Sequence, residues 1–187
     1  YDLKFTKEGT TYGEVFLENV RVPKKNLVGA PNEGWTMAKA LLGFERLFLG
    51  SPKLARNALG RLRTLAEARG LFEDSGFVDQ FTRLELDVED LGEAYEGFAD
   101  QVRAGEPLGA DISWLKIWGT ETFDRIAALA VQSAESHGAL AGPQQYGDTS
   151  VDALVLFFDA LPATIYGGTN EIQRNILAKQ VLRLPEG

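Results

Sequence analysis

The sequence predicts a mostly α fold: an up-and-down helical bundle preceded by a short β remnant. Two observations carry this expectation. Beyond residue 32 the apolar side chains recur at helical spacing over three long stretches, whereas before it they follow no such spacing. Helix breakers then separate the stretches: Pro52 in the first, Gly105 with Pro107 after the second, and the Gly/Pro/Gln-rich segment from Gly138 after the third. There is no internal repeat or low-complexity tract. The chain has 187 residues, of which 44% are hydrophobic, enough for one large domain or a domain plus a fragment of another.

The β remnant occupies residues 1–29. The run Thr11-Tyr-Gly-Glu-Val-Phe-Leu-Glu-Asn-Val-Arg-Val-Pro23 is rich in β-branched and aromatic residues and ends at a proline. One strand pair cannot bury itself alone, so it is expected to belong to a sheet completed elsewhere. The chain also begins at Tyr1 with β character, as a piece of a longer protein would. Residues 30–187 form the helical domain, a four-helix bundle with short final helices.

The first helix is expected from Glu33 to Gly70. Its apolar positions are Trp35, Ala38, Leu41, Leu42, Phe48 and Leu49, and Pro52 kinks or interrupts it. The second spans Gly76 to Ala104, with a seam of Phe77, Phe81, Leu84, Val88, Leu91, Tyr95, Phe98 and Val102, capped by Asp74 or Ser75. The third spans Asp111 to His137, with Trp114, Leu115, Trp118, Ile126, Leu129 and Ala130 inward. A loop covers 138–150, and a short helix from Val151 to Ala160 ends before Pro162. The glycines at 167 and 168 turn the chain into a last helix, Asn170 to Leu184, with Thr169 as its N-cap and Glu171 in its first turn.

Composition excludes several functions. Nineteen Lys and Arg against 27 Asp and Glu give a net charge of -8, which disfavours a nucleic-acid binder. The absence of cysteine removes disulfides, thiol catalysis and thiolate metal sites. His137, the sole histidine, builds no zinc site by itself and reads as a residue near a helix end. No metal and no membrane span are expected: the most apolar run, Val151 to Tyr166, is interrupted by Asp152, Asp159 and Pro162. No signal peptide is recognisable.

Three local features have a chemical reading beside an ordinary one. In Ile165-Tyr-Gly-Gly-Thr-Asn-Glu-Ile-Gln-Arg174, two glycines let the backbone approach a ligand, or simply join a loop to a capped helix. Glu45 falls four residues after Leu41 and four before Leu49, on the apolar stripe of the first helix. A carboxylate there is either a general base, its affinity for protons raised by burial, or one half of an ion pair with Arg46 or another basic residue. Arg69, with Phe72 at the end of the same helix, either reaches a phosphate or caps the helix in solvent.

The segment Ile165 to Arg174 resembles the carboxy-terminal signature of the acyl-CoA dehydrogenase family. The continuation Asn175-Ile-Leu-Ala-Lys-Gln-Val-Leu-Arg-Leu-Pro185 is similar to the family's usual ending. Glu14 to Pro23 resembles the end of its middle β domain, and Leu27-Val-Gly followed by Gly34-Trp35 resembles the start of its carboxy-terminal helical domain. The order and spacing match over nearly the whole chain.

The resemblance implies an FAD enzyme that removes hydrogens from the α and β carbons of an acyl-CoA thioester and passes electrons to an electron-transferring flavoprotein. It implies a bacterial cytoplasmic protein assembled as a homo- or hetero-tetramer. In the common family pattern the base is the Glu directly after the Tyr of the turn; here that position is Gly167. Some members, the isovaleryl and long-chain types among them, carry the base on the first helix of the bundle. The matching residue here is Glu45 in Gly43-Phe-Glu-Arg-Leu47. Gly167 retains its backbone N–H for the thioester carbonyl. Thr169 and Glu171 match flavin-contacting positions, and Arg69 and Phe72 match an Arg-x-x-Phe element whose Arg reaches a neighbouring subunit's flavin pyrophosphate. Two departures stand against the flavin contacts. Glu73-Asp-Ser-Gly-Phe follows Phe72, and Glu135-Ser-His-Gly-Ala-Leu-Ala-Gly142 replaces a Gln-x-Leu-Gly-Gly stretch. Mixed tetramers of two subunit types with fewer flavins than chains also occur among members with the Gly-Gly-Thr turn, and this chain could belong to such a pair.

Overall fold

The computed structural model describes residues 2–4, 10–13 and 15–185, with their side chains apart from those of 2–4, 10–13, 39–40 and 42–44. The chain divides into two compact units, residues 1–42 and 43–187.

In the first unit, β1 (Asp2–Lys4) pairs antiparallel with β2 (Thr10–Gly13), Leu3 opposite Tyr12. The expected strand over 11–23 is realised only at its start, and Glu14 lies outside the described residues. Val15, Phe16, Leu17, Val20 and Val22 are exposed, and a 3-10 turn follows at Lys24–Asn26. The physical reason is that β propensity measures fit to a pleated, half-buried surface. Among the described residues no second strand pairs with 15–22.

Helix α1 runs Gly34–Leu49 and α2 runs Lys53–Arg69, so Pro52 interrupts the first long helix and its carbonyl opens the next (Arg56 N to Pro52 O, 2.8 Å). Helix α3, Ser75–Arg103, is capped by Asp74, whose Oδ1 accepts from Gly76 N at 2.8 Å. Its seam is buried at Phe77, Phe81, Leu84, Val88, Leu91 and Phe98, and half-buried at Tyr95 and Val102. Helix α4 is α-helical over Ser113–Ser133. The rest of the expected 111–137 helix is 3-10 turn, at Ala110–Ile112 and Glu135–His137.

The expected loop at 138–150 holds a hairpin of β3 (Gln144–Tyr146) and β4 (Thr149–Val151), joined through Gly147 at φ 58° and Asp148. A glycine at the first central position is what a two-residue II′ turn requires. Helix α5, Ala153–Ala160, starts at Asp152, which accepts from Val155 N at 2.9 Å. Helix α6, Asn170–Ile176, passes into a π-helical turn at Leu177–Val181 instead of continuing as α-helix to Leu184.

Helix α4 is the axis of the second unit and packs against α2, α3, α5 and α6. Leu62, Leu65, Leu91, Leu115 and Ile126 are fully buried there, each such side chain contributing about 1.5–3 kcal/mol. The α1 stripe differs from expectation: Trp35, Leu41 and Phe48 are 71%, 68% and 78% exposed. Ala38 and Leu49 are half-buried, and the side chain of Leu42 lies outside the described set. Helical spacing puts these residues on one face but says nothing of what covers it.

Candidate functional site around the glycine turn

After α5 the chain makes a 3-10 turn at Leu161–Thr164 and then reverses through Gly167 (φ 64°) and Gly168 (φ 87°). Both values lie in the left-handed region that glycine enters without a Cβ penalty. Thr169 closes the turn as the N-cap of α6, its Oγ1 accepting from Ile172 N at 3.3 Å. Glu171 follows in the first turn. Its carboxyl is held below its ordinary range by its own backbone N–H, then by the Thr169 hydroxyl.

A Cβ built on Gly167 would overlap Cδ1 of Leu49, the last residue of α1. Glu45 precedes Leu49 by four residues, so the two share a helix face. Leu49 thus joins the face carrying Glu45 to the glycine turn. Glu45 itself is exposed, which corrects the expectation of a carboxylate buried in an apolar stripe. The same uncovered face that leaves Phe48 and Leu41 in solvent leaves Glu45 there too.

The turn is held from beneath by polar side chains that sequence reasoning missed. Lys116 of α4 is fully buried, and its Nζ donates to Asn170 Oδ1 at 2.7 Å. Asn170, 2% exposed, donates through Nδ2 to Thr120 Oγ1 and to Glu121 Oε1, each at 3.1 Å. Arg174 Nη2 donates to the same Glu121 oxygen at 2.6 Å. Gln173, also 2% exposed, donates through Nε2 to the carbonyls of Gly167 (3.2 Å) and Gly168 (3.4 Å). Burial pushes the Lys116 ammonium below its ordinary range, opposed by Glu171 and Glu121. A signal for Lys116 did exist. It sits four residues after Ile112, which ends the 3-10 turn before α4, and three before Gly119 and seven before Phe123 on α4, all of them buried.

Arg69 and Phe72 have different partners. Arg69 donates to the carbonyl of Ser133 and pairs with Glu135, Nη2 to Oε1 at 2.6 Å. Phe72 packs edge-on against Phe77 and Phe81, at centroid distances of 5.5 and 5.2 Å. His137 sits past the end of α4 with its ring against Tyr146, 5.7 Å between centroids. Among the described residues no three His, Cys, Asp or Glu side chains are grouped to hold a metal ion, and no helix is long and apolar enough to cross a membrane.

Residues 32–182 match the family model for the carboxy-terminal domain of acyl-CoA dehydrogenases. The chain belongs to the acyl-CoA dehydrogenase family. It is 31% identical over 176 residues to the acyl-CoA dehydrogenase IpdE1 of Mycobacterium tuberculosis, covering 93% of this chain and 44% of that protein. It is 30% identical over 181 residues to FadE29 of the same organism, covering 91% and 44%. The chain therefore spans a little under half the length of these acyl-CoA dehydrogenases. The ChsE4-ChsE5 complex from Mycobacterium tuberculosis superposes with a TM-score of 0.75 at 28% identity, over 92% of this chain and 45% of the other. The Tcur3481-Tcur3483 steroid enzyme superposes at 0.78 with 22% identity, over 92% and 45%, a likeness of fold. The mostly helical bundle expected from the sequence is thus the acyl-CoA dehydrogenase carboxy-terminal fold.

Proposed function

We propose that this chain is the carboxy-terminal part of a flavin-dependent acyl-CoA dehydrogenase in which Glu45 is the base that removes the α proton. Residues 1–29 are then the end of its middle β domain. The observation that carries this reading is Leu49. It fills the space a side chain at position 167 would take, and it stands on the helix face that carries Glu45.

Two groups of this chain act on the thioester. The Glu45 carboxylate takes the α proton, and the Gly167 N–H donates to the carbonyl oxygen as negative charge develops on it. The double bond forms as the β hydrogen leaves with its electron pair. A bound FAD supplies the acceptor for that hydride.

The turn side fits such a cofactor: Gly168 and Glu171 are exposed and Thr169 is half-exposed beside them. The Arg69 side does not fit a pyrophosphate, because Glu135 already holds the guanidinium. We therefore assign Thr169 and Glu171 to the flavin and leave Arg69 and Phe72 out of its binding by this chain. Transfer of electrons to an electron-transferring flavoprotein, a tetrameric assembly and a cytoplasmic location follow from the same proposal.

The test is Glu45→Gln in the full-length protein. Turnover of acyl-CoA is expected to fall by at least about 10²-fold, while flavin and acyl-CoA binding persist. Undiminished turnover sinks the assignment. The likeness to the ChsE4-ChsE5 complex favours a second reading, in which this chain is a non-catalytic member of a heteromer that completes its partner's flavin site. Purification of the full-length chain alone as a yellow, active homo-oligomer rejects it.

A further inference from the structure

We propose that Lys116, acting through Asn170, is a positioning residue that holds the glycine turn in the conformation its backbone donor needs. This rests on the reading of Gly167 N–H as the donor to the thioester.

Two consecutive left-handed glycines are the least constrained dipeptide a chain can contain. Left alone, the peptide planes at 167 and 168 would sample many orientations, and a wandering donor stabilises no developing charge. The structure restrains them from two sides. Gln173 Nε2 reaches both glycine carbonyls, and Lys116 Nζ fixes Asn170, three residues after Gly167.

Lys116 is costly where it stands. Leu or Met would fill a fully buried site on α4 without desolvating a charge. What the ammonium adds is a strong, directional bond to the first residue of α6. Asn170 then spreads that anchor to Thr120 and Glu121, and Glu121 to Arg174. The whole start of α6 is therefore pinned to the central helix by polar groups, in a core where apolar packing would have given cohesion without fixing an angle.

A purely cohesive role and a positioning role separate experimentally in the full-length protein. Lys116→Met leaves the buried Asn170 Oδ1 with only the longer bond from the Thr120 hydroxyl (3.3 Å) and lowers thermal stability. The double variant Lys116→Met/Asn170→Leu replaces both partners by apolar groups, which restores stability when cohesion is all that was lost. The proposal expects the double variant to regain most of the melting temperature yet keep kcat depressed by about tenfold or more. KM for acyl-CoA should stay within about twofold. Amide hydrogen exchange across 165–170 should be faster than in the wild type. Recovery of both kcat and slow exchange in the double variant overturns the proposal. If the wild-type protein turns over no acyl-CoA, the dehydrogenase reading fails on its own. The exchange measurement still decides the clamp: faster exchange in the variant supports it, and unchanged exchange rejects it.

Discussion

The two walls of the candidate site are built by opposite means. The glycine turn rests on buried polar side chains, each bonded to a named partner on α4, on α6 or in the turn itself. The α1 wall carries Glu45 on a face where Leu41 and Phe48 are open to solvent. Among the described residues the turn has its polar partners in place, whereas Glu45 and Phe48 stand exposed. A backbone donor must be fixed in angle to be useful, whereas a carboxylate gains proton affinity only where an apolar surface covers it.

The sharpest way to break this contrast is at the point where the walls meet. Gly167→Ala places a Cβ against Leu49 at a φ of 64°, at an expected cost of about 1–3 kcal/mol. Adding Leu49→Ala removes the collision and leaves only the backbone strain. The double-mutant cycle, read by denaturant unfolding, should show about 0.5 kcal/mol or more of coupling. Additivity would mean that the walls do not touch.

A smaller effect is expected at Thr169. Thr169→Ala removes the cap on Ile172 N and costs about 1 kcal/mol at neutral pH. It also removes the hydroxyl that helps keep the Glu171 carboxyl low. A depressed carboxyl contributes stability above its unfolded pKa and loses it as pH falls through the folded value. The gap between wild type and Thr169→Ala should therefore narrow in melts recorded below about pH 4. A gap independent of pH would remove Thr169 from the Glu171 interaction.

The smallest effect within the 187-residue chain belongs to the α1 face. Phe48→Ser should change the stability of the 187-residue chain by less than about 0.5 kcal/mol, since Phe48 is 78% exposed. In the full-length protein the same substitution should cost about 2 kcal/mol or more. Equal effects in both would mean that the face stays bare.

What the sequence made legible follows the same division. The α3 seam, the Asp74 and Thr169 caps, the break at Pro52 and the glycine turn depend on residues a few positions apart, and all are present. The hairpin was readable in Tyr146-Gly-Asp-Thr149, since a Gly-led pair between β formers marks a two-residue turn. Lys116 and Asn170 lie 54 residues apart, and no local pattern states that an amine on one helix will find an amide on another. The exposure of Glu45 was hidden for another reason. Periodicity assigns a residue to a face, and burial depends on what that face meets.

Leu49 also constrains how such a site changes over generations. A carboxylate arriving at position 167 in one step would meet an occupied space, and trimming Leu49 first would open a void beside the turn. On the proposed reading, moving the base between the helix and the turn therefore takes changes at both position 49 and position 167.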